Sequence, residues 1–245
     1  MEIFSDLGGA FASRWGHVLV GITWIGLLYY FNFVQVPAFA QMEAPARINA
    51  IDKLASRALW WFRWSAAATV ATGVLILYFQ DQFDGDYFKS LPGISISVGM
   101  LFGLTMFANV WLVIWPNQKI VIANARNVQA GGEADPNAAP ALRKAGLASR
   151  QNVIFSFTML FFMVGTSHFF TSFHFVRLPE SSDRLTFWII TLIVWIALEL
   201  KCLGIIGGTG AGGLNWPYES HKNAIITASI LVVGFYVLTE LVFKA

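Results

Sequence analysis

Four histidines fall in a chain that is otherwise poor in ionisable side chains, and they sit at different depths of its apolar runs: His17, His168, His174 and His221. An ionisable group inside a long apolar run is costly and marks a functional candidate. His17 follows the start of one apolar run and His168 precedes the end of another, so a helical rise of about 1.5 Å per residue sets both at similar depth. Two neutral imidazoles on two helices can hold a haem iron between them. Gly21 lies one turn after His17 and Gly165 one turn before His168, where small residues would leave room for a macrocycle. Ser13 and Ser172 stand four residues from these histidines and could orient the second ring nitrogen. The expectation is one haem b with His17 and His168 as iron ligands; helix-packing histidines bonded to hydroxyls or backbone are the alternative. His174 is six positions from His168, on another helix face, and is read as interfacial, although a one-turn shift would make it the ligand. His221 belongs to the opposite end of the runs.

A second polar set gathers at that opposite end: Asn32, Gln35, Arg63, Asn117, Gln118, Lys119, Arg150, Asn152, Glu199 and His221. Arg63 could pair with Glu199, which would lower the cost of burying either. Arg63, Asn117, Gln118, Lys119, Arg150, Asn152 and Glu199 are the candidates for binding a small hydrogen-bonding anion, a task for which the planar guanidinium is suited. Snorkelling and helix capping are the plainer reading of the same residues. No residue stands out as a catalytic group. Gly208–Gly213, GTGAGG, has dinucleotide-fingerprint spacing but follows an apolar helix rather than a strand, and is read as a loop.

The elements that must position these residues follow from composition. Of 245 residues, 56% are hydrophobic and 12% charged, against roughly 25% charged in a soluble domain. Apolar stretches long enough to cross a bilayer begin near Trp15, Ala58, Ile94, Gln151, Leu185 and Asn223. No alternating barrel pattern is present, so the expected fold is an all-α polytopic membrane bundle of about six helices, one domain over 1–245 with a long polar loop at 123–149. Of the 16 Lys and Arg residues, eleven fall in or beside the odd-numbered connections and five on the other side. Those connections are therefore expected in the cytoplasm and both termini on the outer side, which is the periplasm in the case of a bacterial inner membrane. A net charge of +2 gives no footprint for nucleic acid, and the single cysteine, Cys202, excludes an internal disulfide and a c-type haem attachment motif. The first 14 residues lack the features of a removable signal peptide.

Several segments resemble the membrane domain of bacterial cytochrome-c-coupled urate hydroxylases, the urate oxidase N-terminal family. They are RWGHVLVGITWIGLLYYF at 14–31, WWFRWSAAATVATG at 60–73, NVWLVIWPNQKIVIANA at 109–125 and SRQNVIFSFTMLFFMVGTSH at 149–168. The pairing of NVW with WPNQK is the most specific. The resemblance implies oxidation of urate to 5-hydroxyisourate, with electrons passed to a cytochrome c domain that follows the membrane part in the family. This sequence ends at Ala245, so the expected acceptor is a separate periplasmic cytochrome c. The chain departs from the family at Arg150-Gln151, where a histidine is usual. Two other functions fit the residues: a b-type haem electron-transfer or haem-metabolism subunit without urate activity, and a non-redox transporter or assembly subunit.

Overall fold

The computed structural model describes residues 4–170 and 179–243. Six helices are long and apolar enough to cross a membrane: Asp6–Gln41, Ala44–Phe79, Leu91–Gln129, Ala138–His168, Ser181–Cys202 and His221–Phe243, called spans one to six. No strand occurs among the described residues. Helix is what the solvent requires, since hydrocarbon offers no partner to an open backbone N–H or C=O.

Spans one to three are longer than the roughly 20 residues a bilayer needs, and each contains a wide turn closed by N–H bonds to the fifth preceding carbonyl: Tyr30–Gln35, Ile51–Ala55 and Asn109–Ile114. Two of these turns have a sequence cause. Pro37 and Pro116 have no N–H to continue the ladder, and each directly follows a wide turn in the first turn of the next helical segment.

The polar excursion at 123–149, expected to be a loop with a short helix around Ala139 to Leu147, is mostly helical. Span three continues to Gln129 and span four begins at Ala138. Its alanines favour helix strongly, so both helices extend well into this stretch before the chain turns. Span four is the most buried helix, and Phe102, Phe155, Phe162 and Phe235 from spans three, four and six pack as edge-to-face rings around it. Outward positions such as Ile22, Leu112, Ile193 and Ile230 are exposed apolar side chains, as a lipid-facing surface requires. The connections after spans one, three and five meet at one end of the bundle, the loop end, where Arg126 pairs with Asp52 and Arg143 with Glu219.

Candidate functional site

The loop end holds a buried polar cluster built by three spans. The wide turn at Asn109–Ile114 carries Asn109 into the core, where its Nδ2 donates to Asn152 Oδ1 at 3.1 Å and Glu199 Oε2 at 3.3 Å. Asn152 Nδ2 donates in turn to the Met106 carbonyl at 3.0 Å. Gln151 beside it is fully buried; its Oε1 accepts from the Tyr218 hydroxyl at 2.8 Å, and its side chain also reaches the Glu199 carboxyl. Glu199 makes no ion pair among the described residues. A carboxyl group is therefore set among neutral amides.

A strap closes the cluster toward the aqueous side. The segment after span five turns at glycines with positive φ (Gly204, Gly207, Gly208, Gly212 and Gly213) and returns through the short helix Trp216–Glu219. Arg143 donates to the Thr209 and Gly210 carbonyls and pairs with Glu219 at 2.7 Å. Arg150 Nη1 donates to the Tyr218 carbonyl at 2.7 Å. Lys201 Nζ donates to the Ile206 carbonyl at 2.9 Å. GTGAGG is therefore a loop whose carbonyls face cations, the reverse of a phosphate cradle. The hydrogen bonds from Arg143 hold the Glu219 carboxyl below its usual range, and burial pushes the Tyr218 phenol up.

The expected Arg63–Glu199 pair does not form. Arg63 instead lies over the Trp115 ring at 3.9 Å and near Trp111 at 5.3 Å and Trp64 at 5.8 Å. An indole face attracts a guanidinium without the desolvation of a second ion, so the aromatic platform takes the place of the carboxylate. Asn117 is spent on its own helix, donating to the Val113 carbonyl at 2.8 Å. Gln118 is half-buried, and Lys119 is exposed beside Trp115. Of the seven candidate anion-binding residues, Asn152 and Glu199 meet in the cluster and Arg150 reaches its lid. Arg63 and Lys119 belong to the tryptophan face. Asn109, Gln151 and Tyr218 complete the cluster. Asn109 and Gln151 had a sequence signal, an amide within or bordering an apolar run, while Tyr218 had none, being in the connection between spans five and six.

His17 and His168 occupy the other half of the bundle. His17 lies between spans one and two, with Nδ1 3.1 Å from Thr72 Oγ1. The only Thr72 hydroxyl hydrogen is committed to the Ala68 and Thr69 carbonyls, so Nδ1 is assigned as the donor and Nε2 carries the lone pair. Thr72 thus takes the role expected of Ser13, whose hydroxyl turns to the Gly9 and Ala10 carbonyls. His168 Nδ1 is 3.1 Å from the Val164 carbonyl, which can only accept, so its Nε2 is the lone-pair nitrogen as well. Antiparallel spans one and four are pinned by Tyr29 and Ser156 at 2.9 Å; twelve residues back from Tyr29 is His17, and twelve on from Ser156 is His168. The two imidazoles thus stand at one level of the bundle. Nothing stands within 4 Å of a side chain built at Gly21, whereas the Phe170 ring covers Gly165 at 2.8 Å. Nε2 is in each case the ring atom able to meet an iron; the span-one side is open at Gly21, whereas the Phe170 ring fills the space at Gly165 and the His168 side chain is exposed. His221 faces Phe33 at the loop end, and His174 and Ser172 lie outside the described residues.

Residues 85–201 match the model of the urate oxidase N-terminal family. The match covers just under half of the 245-residue chain and is consistent with that family. No match was found among curated proteins or solved structures.

Proposed function

Taking the likeness to the urate oxidase N-terminal family as premise, we propose that this chain is a membrane oxidoreductase of the urate hydroxylase type. The observation that carries the reading is that the family match contains Asn109, Arg150, Gln151, Asn152 and Glu199, the matched stretch being the one that builds the buried cluster. In the net reaction urate and water give 5-hydroxyisourate, two protons and two electrons. Glu199 accepts an N–H of the purine and then a proton released as water adds. The amides of Asn109, Gln151 and Asn152 read the remaining edge, and Arg150 supplies positive charge beside the anion. Burial strengthens each of these contacts by excluding water.

Electrons leave toward the opposite half of the membrane. His17 and His168 are the side chains that would hold a haem b, and Thr72 and the Val164 carbonyl would fix their tautomers. Such a group, when bound, supplies one-electron transfer, so the reaction needs two relay steps to a periplasmic cytochrome c.

The test is the visible spectrum of the purified protein with and without urate. Urate-dependent reduction of a haem band is expected, and Glu199→Gln should slow it about 100-fold or more while leaving the band intact. A haem band that urate never reduces would leave a b-type electron-transfer subunit. A protein without a haem band would leave a transporter or assembly role.

A further inference from the structure

At the loop end, outside the buried cluster, a groove of about 470 Å³ runs between the beginning of span two and the extension of span three. It is lined by Ser56, Arg57, Trp60, Trp115, Lys119 and Arg126, together with Ile122 and Ala123. Its level in the membrane follows from the tryptophans. Trp60, Trp61 and Trp64 are 48%, 59% and 47% exposed on the outside of span two, about 20 residues from its other end at Phe79. Exposed indoles one bilayer width from the opposite helix end mark the boundary between hydrocarbon and headgroups. Arg57 lies about one helical turn beyond Trp60 and Trp61, and Lys119 one turn beyond Trp115, which puts both cations at phosphate level.

The charge is not balanced. Arg126 pairs with Asp52, but Arg57 and Lys119 make no ion pair among the described residues. The groove therefore offers two cations below a rim of indoles, next to the lipid-facing surface. We propose that it is a binding site for the headgroup of an acidic phospholipid. The phosphate lies between Arg57 and Lys119, the headgroup fills the space toward Arg126, and the acyl chains run up the span past Trp60. A zwitterionic lipid brings its own cation into the same space and gains less. A free phosphate gains the ionic contacts but not those of the indole rim.

Native mass spectrometry of the full chain, delipidated in detergent and titrated with phosphatidylglycerol, phosphatidylcholine or inorganic phosphate, tests the assignment. Retention of phosphatidylglycerol well above phosphatidylcholine is expected, with no retained phosphate. Arg57→Gln together with Lys119→Gln should weaken phosphatidylglycerol retention about 30-fold, from about fivefold per cation. Lys89→Gln, a basic residue paired with Asp86 at the other end of the bundle, serves as the control and should change nothing. Equal retention of the two lipids, equal retention by the double variant, or retention of free phosphate at comparable concentration would each overturn the proposal.

Discussion

Replacing Asn109 by Ala removes the one side chain that ties span three to both spans four and five inside the buried cluster. Its Nδ2 serves Asn152 Oδ1 and Glu199 Oε2, and the side chain is 2% exposed, so water cannot take its place without entering the core. A hydrogen bond to a neutral acceptor is worth about 1 kcal/mol and one to a charged acceptor about 1.5–3 kcal/mol. Membrane interiors give smaller values, near 0.6 kcal/mol for an average interhelical bond, because the unfolded helices find other partners in the bilayer. The long 3.3 Å contact to Glu199 argues for the lower half of the range. The expected loss is therefore about 2 kcal/mol, read from reversible unfolding of the purified protein in mixed detergent micelles. The same measurement in a Glu199→Gln background isolates the shared contact: Asn109→Ala should then cost at least about 0.5 kcal/mol less. A loss under about 0.5 kcal/mol in the native background, or perfect additivity of the two changes, would refute the claim that Asn109 and Glu199 form one network.

Thr72→Val removes the acceptor that fixes the His17 tautomer, and haem retention measured by absorbance should fall about tenfold or more, while Ser13→Ala should leave it unchanged. A reporter enzyme fused at the C-terminus should be active in the periplasm, as the Lys and Arg distribution requires; activity of a cytoplasmic reporter would reverse the sides. The Arg143–Glu219 contact should show a defined acid limit. Because hydrogen bonds from Arg143 lower the Glu219 pKa in the folded chain, its stabilisation is full above the unfolded value of about 4.3 and is lost as pH falls through the lower folded value. Amide protection in 204–219, taken relative to the intrinsic exchange rate at each pH, should therefore be high at neutral pH and fall in acid, and Glu219→Gln should show the low acid protection at every pH.

Two residues show how far the chemistry was legible in the sequence. His17 and His168 stood out because an ionisable group in an apolar run is expensive wherever the chain places it. Their matched level also followed from counting, since a straight helix converts residue number into depth. What counting could not supply was the partner of each imidazole. Ser13 is on the right turn of the helix, but its hydroxyl bonds back to its own span, and Thr72 reaches across from span two. Arg63 and Glu199 show the same limit. Both were visible as buried charges, and pairing them was the economical guess. Arg63 instead rests on Trp115, because the aromatic residues of spans two and three converge on one face only when those spans are packed.

Composition and the length of the apolar stretches determined the helical membrane architecture and the number of spans, because bilayer thickness and the cost of an open backbone leave no other solution. The glycine-rich stretch after span five was legible as a loop for the same reason, since its conformations and polarity fit no span. Tertiary structure decided which polar residues meet. The wide turn before Pro116 rotates Asn109 into the core, and that rotation depends on how the helix repairs a missing hydrogen bond rather than on any periodic pattern. Tyr218 seals the cluster from a loop whose path is set by cations drawing its carbonyls inward. Contacts of this kind join residues far apart in the chain, and only the packing of the bundle brings them within reach.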